Sequence, residues 1–227
     1  MISRPKAWLA WSSGKDSAWA LHVVREQRQL DVVALLTTVN RTHQRVAMHA
    51  VRESLLERQA AAADLSLVVV PIPSPCTNEE YERAMGGAIQ RARAEGVTHM
   101  IFGDLFLEDI RRYRENNLKD TGITPVFPLW GIPTDRLARQ MLDGGLRSYI
   151  TCVDPRQLDR SFAGREWDSS LLAELPPSVD PCGENGEFHT FAFAGPMFSG
   201  MPCGAAIEVH RGEVVERDGF VFADFLE

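Results

Sequence analysis

The chain has 227 residues, 24 Lys and Arg against 31 Asp and Glu, a formal net charge of -7 and 44% hydrophobic residues. This length and composition fit a globular protein with one large domain, or a main domain with a small appendix. The acidic balance argues against nucleic-acid binding as the main function. No apolar run reaches the roughly 18 residues of a membrane span. Since the N-terminus lacks a signal-peptide pattern, we expect a cytoplasmic protein.

The first predicted elements are a strand at 6–11 and a helix that begins near residue 18, joined by a short turn. The first N–H groups of a helix have no partner within it, and the positive end of its dipole attracts anions. A turn rich in hydroxyls, with a glycine for close approach and a lysine for charge, therefore predicts a phosphate-binding loop. The loop residues are Ser12, Ser13, Gly14, Lys15, Asp16 and Ser17.

This loop differs from the commoner nucleotide-binding motifs. Leu9 stands where a Walker loop needs its first glycine, and Asp16 stands where it needs Ser or Thr. The loop resembles instead the Ser-Gly-Gly-x-Asp-Ser loop of ATP pyrophosphatases (PP-loop enzymes), which cleave ATP between the α and β phosphates. Ser13 replaces the second glycine of that pattern, which restricts the local backbone angles. The alternative is a serine N-cap on an ordinary helix.

Further along the chain, strands alternate with helices. Short apolar runs predict strands at 32–39, 67–72, 99–102, 124–127 and 148–153, and amphipathic stretches predict helices at 48–63, 78–94, 107–118 and 137–142. This order predicts an α/β fold with a mostly parallel sheet, whose ligands bind at the carboxyl ends of the strands. Thr38 and Gly103 then lie at the same edge as the loop, where we expect them to contact a nucleotide.

After about residue 154, prolines and glycines become dense, and the stretches 205–209 and 213–225 predict short antiparallel strands. We therefore expect a nucleotide-binding domain at 1–153 and a C-terminal lobe at 154–227. We expect this acceptor-binding lobe to hold the second substrate, which would accept a group from the nucleotide.

Two polar clusters are candidates for chemistry. In the first, Asp104 follows a strand, where a carboxylate can hold Mg²⁺ against phosphates. A helix at 107–118 would place Arg111, Arg114 and Glu115 on one face, which suits phosphate or carboxylate binding. The alternative for this helix is a solvated face with ion pairs between its own side chains.

The second cluster lies between Cys182 and Phe191 and contains four polar groups on a glycine-rich backbone: Glu184, Asn185, Glu187 and His189. The carboxylates and the imidazole could serve as general acid or base, or could bind an acceptor. The alternative is a turn whose polar groups cap its own backbone, with His189 half buried in a strand.

Together, the loop, Gly103-Asp104, Pro128-Leu129-Trp130, the 182–191 segment and the 195–198 segment resemble the diphthine–ammonia ligase family, across nearly the whole chain. The lack of extra C-terminal domains makes it similar to the short, bacterial-type members. The resemblance implies the adenine nucleotide alpha hydrolase-like (HUP) fold, a three-layer arrangement around a parallel sheet, with a small mixed α+β lobe.

The family resemblance also implies a reaction. ATP adenylates the carboxylate of diphthine, a modified histidine of elongation factor 2, and ammonia displaces AMP. The residues 12–17 would bind the phosphates with Mg²⁺ present, and the 184–189 residues would shape the acceptor pocket. Catalysis would fall to Lys15, Asp104, Arg114, Glu115, Glu187 and His189.

Two other functions remain open from the sequence. One is an ATP pyrophosphatase that modifies tRNA, although the four cysteines form no Cys-x-x-Cys pair and the charge is acidic. The other is an ATP-binding sensor without catalysis. The sequence leaves open the carboxylate acceptor, the ammonia source and whether the protein forms a homodimer.

Overall fold

Strands and helices alternate through the first part of the computed structural model, which describes residues 4–40, 45–46, 51–73, 75–202 and 204–227. The strands are β1 (Lys6–Ala10), β2 (Asp31–Asn40), β3 (Arg45–Val46), β4 (Ser66–Ile72), β5 (Val97–Ile101) and β6 (Thr124–Val126). The helices are α1 (Lys15–Gln27), α2 (Glu53–Ala62), α3 (Asn78–Ala94), α4 (Glu108–Leu118) and α5 (Thr134–Asp143).

Five of these strands form a parallel sheet in the order β4-β2-β1-β5-β6, and β3 pairs antiparallel with the end of β2. The predicted α/β class with a parallel sheet is therefore confirmed. Because β1, β2 and β5 are parallel neighbours, the segments that follow them lie at one edge of the sheet.

The side chains of β1 show why helices cover both faces of the sheet. Ala7 and Leu9 belong to one buried cluster, together with Leu21 of α1 and Leu56 of α2. Trp8 points to the other face, into a second cluster that contains residues of α3 and α4. Strand side chains alternate between faces, so a strand that is apolar at every position requires cover on both sides. The result is a three-layer arrangement.

The remaining strands form a separate antiparallel sheet. They are β7 (Arg147–Val153), β8 (Phe188–Ala194), β9 (His210–Arg217) and β10 (Phe220–Leu226), in the order β8-β7-β10-β9, with helix α6 (Ser169–Glu174) between β7 and β8. The prediction that 148–153 joins the parallel sheet is wrong, since β7 pairs antiparallel with both β8 and β10. An apolar strand after a helix has the same pattern in either sheet, and only its distant partners decide between them.

The two sheets share one hydrophobic core. Phe188 and Phe191 of β8 belong to the same buried cluster as Leu9 and Leu21. Strand β8 consequently lies against the end of β1 and the start of α1. The domain boundary after residue 153 stays a prediction. Among the described residues, no helix has the length and apolar character needed to cross a membrane.

Candidate active site

A cavity of about 460 Å³ opens where the parallel strands end. Its walls come from the loop after β1, from β2, from the turn after β5, from α3 and α4, and from the segment that enters β8. The polar residues that line it are Ser12, Asp16, Ser17, Thr37, Thr38, Asp104, Arg114, Glu184, His189 and Thr190. The structure thus brings together the predicted loop, the β5 turn and part of the 182–191 segment.

The loop after β1 is closed by its own hydroxyl groups. Gly14 is the N-cap of α1, and its N–H donates to Ser12 Oγ at 3.3 Å. Ser17 Oγ donates to the Gly14 carbonyl at 3.0 Å and lies 3.1 Å from Ser12 Oγ. Both serines line the cavity. The loop therefore presents hydroxyls at the start of a 13-residue helix, where an anion is stabilised.

Ser13 adopts the conformation that its position in the motif predicts for a glycine. Its φ is +72°, in the left-handed region that a side chain disfavours. The residue is completely buried, and among the described residues its hydroxyl has no hydrogen-bond partner. The restriction expected from the serine substitution is present as local strain.

Two elements outside the loop hold it in place. From β8, Ala192 N–H donates to the Ser13 carbonyl at 2.9 Å, and Thr190 Oγ1 accepts from Lys15 N–H at 3.0 Å. From α2, the Gln59 amide donates to the same Ser13 carbonyl at 2.9 Å. Sequence reasoning missed Gln59, since one glutamine in an alanine-rich helix carries no motif.

Lys15 does not line the cavity. Its ammonium is buried, donates to both Asp16 carboxylate oxygens and to the Cys182 carbonyl, and lies 5.5 Å from the Phe188 ring centroid. Burial opposes its charge, but Asp16 and the nearby polar groups outweigh this, so the pKa of Lys15 is raised. The placement favours a structural role over a direct phosphate contact: the ammonium pairs with Asp16 inside the loop and joins the loop to the 182–188 turn through the Cys182 carbonyl.

The turn after β5 approaches the loop closely. A Cβ atom on Gly103 would lie 2.9 Å from Asp16 C and from Ser17 N, so only glycine fits there. The next residue, Asp104, has an oxygen 3.6 Å from Arg114 Nε, and neither atom has a hydrogen-bond partner among the described residues. Burial raises the pKa of Asp104, although Arg114 opposes this.

Glu115 lies outside the cavity, on the exposed side of α4. Its carboxylate accepts from Arg111 Nε at 2.8 Å, in a pair with i,i+4 spacing, and 43% of the side chain is exposed. For these two residues the structure favours the alternative interpretation, a solvated helix face. Arg114, one position before Glu115, is the member of this helix that lines the cavity.

Glu184 and His189 are the members of the second polar cluster that reach the cavity. Glu184 Oε1 accepts from Leu105 N–H at 2.8 Å, which joins the 182–188 turn to the β5 turn. Burial raises the pKa of Glu184 to about 7, and the nearby Asp16 and Asp104 add to this effect. Burial, with a contribution from Lys15, lowers the pKa of His189 to about 4. His189 is therefore neutral at pH 7, and Glu184 is poised to exchange a proton.

Asn185 and Glu187 stabilise the turn itself. Glu187 is 1% exposed, and its Oε1 accepts from Asp180 N–H at 2.9 Å and from Asn185 Nδ2 at 3.0 Å. Neither residue lines the cavity. For this pair the structure favours a self-capping turn over an acceptor pocket.

The cavity also has an apolar part that sequence reasoning missed. Tyr81 and Met85 of α3, Ile110 of α4 and Leu36 of β2 contribute to it, beside the predicted Thr38. These side chains come from three elements that are distant in the chain, so no local pattern could group them. Apolar and aromatic walls with a few polar groups are typical of small-molecule sites.

The five-stranded parallel sheet with flanking helices, together with the separate antiparallel sheet, fits the fold of PP-loop proteins. Family models identify the chain more closely: one described as diphthamide synthase N-terminal domain matches residues 5–125, and one described as diphthamide synthase C-terminal domain matches residues 133–215. The chain therefore belongs to the diphthamide synthase family. A search of curated proteins finds no match.

Proposed function

We propose that the protein is an ATP-dependent ligase that forms an amide from a carboxylate and ammonia, with release of AMP and pyrophosphate. The observation that carries this proposal is the cavity between the loop, the β5 turn and Glu184, in a chain of the diphthamide synthase family. The family's chemistry suggests diphthine on elongation factor 2 as the acceptor.

In the first step, an oxygen of the acceptor carboxylate would attack the α-phosphorus of ATP, and the bond to the β-phosphate would break. The N–H groups of Asp16 and Ser17 at the start of α1, and the hydroxyls of Ser12 and Ser17, would bind the phosphate oxygens. Arg114 would stabilise the charge that develops on them. This step gives an acyl adenylate and pyrophosphate.

Asp104 fits Mg²⁺ because its buried Oδ2 has no hydrogen-bond partner among the described residues. The described residues contain no group of three or more His, Cys, Asp and Glu side chains that could hold a metal ion. One carboxylate, completed by phosphate oxygens and water, is a usual arrangement for Mg²⁺ bound with a nucleotide. Such an ion would neutralise phosphate charge.

In the second step, ammonia would attack the acyl carbon. The bond between that carbon and the phosphate oxygen would break, and AMP would leave with its electron pair. The attacking nitrogen must lose one proton as the amide forms. Glu184 suits this role because its pKa of about 7 lets it accept a proton near neutral pH. His189, with its lowered pKa, would act as a neutral hydrogen-bonding group in the pocket.

Exchange of labelled pyrophosphate into ATP tests the first step without ammonia. We expect exchange only with the acceptor present, and AMP release only when ammonia is added. Asp104→Asn should lower the exchange rate about 100-fold or more. Glu115→Gln, the same chemical change on the exposed side of α4, should leave it within about twofold.

Other outcomes would favour the alternatives. ATP binding without exchange, for diphthine-bearing elongation factor 2 and for a panel of small carboxylates, would contradict a ligase and indicate a sensor. Formation of AMP that depends on added tRNA would indicate the tRNA-modifying alternative.

A further inference from the structure

We infer that Gln59 is a positioning residue whose side-chain amide sets the conformation of the phosphate loop and links it to strand β8. Gln59 lies in α2 and does not line the cavity, so it has no direct contact with a bound nucleotide. Its effect on ATP rests on the proposed function, whereas its effect on the loop does not.

The amide of Gln59 makes three hydrogen bonds to three separate segments. Its Oε1 accepts from the indole N–H of Trp11 at 2.8 Å, at the point where β1 ends. Its Nε2 donates to the Ser13 carbonyl at 2.9 Å and to the Ala192 carbonyl at 2.7 Å. One side chain therefore joins the strand before the loop, the loop itself and the antiparallel sheet.

The complete burial of Gln59 indicates that these hydrogen bonds are the reason for a glutamine at this position. Gln59 is 0% exposed, and its neighbours Leu55, Leu56 and Ala60 in α2 are buried apolar residues. A buried amide is unfavourable unless it is hydrogen-bonded, and a leucine or methionine would fill the same space without that penalty.

The strained residue of the loop is the one that the amide contacts. Ser13 has a φ of +72°, and its carbonyl accepts from both Gln59 Nε2 and Ala192 N. A non-glycine residue keeps such a conformation only when its surroundings hold it there. The carbonyl is oriented by these two donors, and the N–H of Lys15 is held by Thr190. Loss of the Gln59 donor should therefore make the loop at 12–17 more mobile.

Gln59→Met, with similar length but no amide, is the direct test. We expect ATP to bind roughly tenfold more weakly in calorimetry, which corresponds to about 1.4 kcal/mol. We also expect faster hydrogen exchange in peptides that span 12–17. Gln90→Met, the same change on the exposed side of α3, is the control and should alter neither property.

A second substitution separates loop positioning from general core stability. Glycine adopts a φ of +72° without strain. The double variant Gln59→Met, Ser13→Gly should therefore bind ATP at least threefold more tightly than Gln59→Met alone. It should also slow loop exchange again. If Gln59→Met does not fold, Gln59→Asn, whose shorter side chain cannot reach all three partners, takes its place.

Two results would overturn the inference. One is a folded Gln59 variant whose loop exchange and ATP affinity match those of the wild type. The other is a loss that Ser13→Gly does not restore and that spreads evenly over the core peptides. If the wild type itself binds no ATP, the proposed function fails, and hydrogen exchange alone decides the role of Gln59.

Discussion

Replacing Ser13 by glycine should stabilise this protein, although most substitutions of fully buried residues destabilise. Ser13 is 0% exposed, its φ is +72°, and its hydroxyl has no hydrogen-bond partner among the described residues. Glycine removes the strain and the buried hydroxyl at once. It also leaves the Ser13 carbonyl and its two donors unchanged.

The magnitude follows from opposing contributions. Release of the left-handed strain is worth about 1 to 2 kcal/mol, and removal of a buried, unpartnered hydroxyl is worth about 1 to 3 kcal/mol. Two contributions oppose this gain. The greater flexibility of the unfolded chain with glycine lowers stability by about 0.5 to 1 kcal/mol, and the loss of one buried carbon lowers it by about 0.8 kcal/mol. The midpoints of these ranges give an expected net gain of about 2 kcal/mol in the free energy of unfolding.

Urea unfolding, followed by tryptophan fluorescence, measures this gain directly. For a chain of this length, about 2 kcal/mol should raise the melting temperature by about 4 to 8 °C. Ser12→Gly is the matched control. Ser12 Oγ accepts from Gly14 N and contacts Ser17 Oγ, so its loss should lower stability by about 1 kcal/mol. A Ser13→Gly variant no more stable than the wild type would refute the assignment of strain to this residue.

Two further predictions concern the cavity. Gly103→Ala should weaken ATP binding at least tenfold in a binding titration, because its Cβ would lie 2.9 Å from the backbone at Asp16. Gly86→Ala is the control: no atom lies within 4 Å of its Cβ, so it should bind ATP as the wild type does. Glu184→Gln should change how stability depends on pH. Because the folded pKa of about 7 exceeds the ordinary 4.5, the wild type loses stability as pH rises from about 4.5 to about 7. The variant should be more stable than the wild type by about 1 to 3 kcal/mol at pH 8 and equal to it at pH 4, measured by denaturant unfolding; a difference independent of pH would contradict the shifted pKa.

The sequence predicted the parts of the fold that depend on local pattern. The alternation of strands and helices predicted the α/β class, which the structure confirms. The helix predicted at 78–94 is α3, which begins at a capping box formed by Thr77 and Glu80. Strand β7 was assigned to the wrong sheet because its partners, β8 and β10, follow it in the chain by tens of residues.

Within the candidate site, composition could not decide the direction of each side chain. Glu184 and Glu187 lie three residues apart in one turn, yet Glu184 lines the cavity and Glu187 is buried beneath the turn. Lys15 belongs to the loop by sequence, but the Cys182 carbonyl holds its ammonium away from the cavity. The positions of Lys15 and Glu184 depend on contacts with Cys182 and Leu105, which lie 167 and 79 residues away in the chain, and no local motif records such contacts.

The contact between the loop and strand β8 has a consequence for biosynthesis. Lys15 N and Thr190 Oγ1 are bonded across 175 residues of sequence. At roughly 5 to 20 residues per second, a ribosome needs about 10 to 35 seconds to synthesise that stretch. During this interval the emerging parallel sheet has a loop without the strand that holds it. The nascent chain therefore completes the loop after β1 only once β8 has been synthesised, and contacts of such long range are expected to form late in folding.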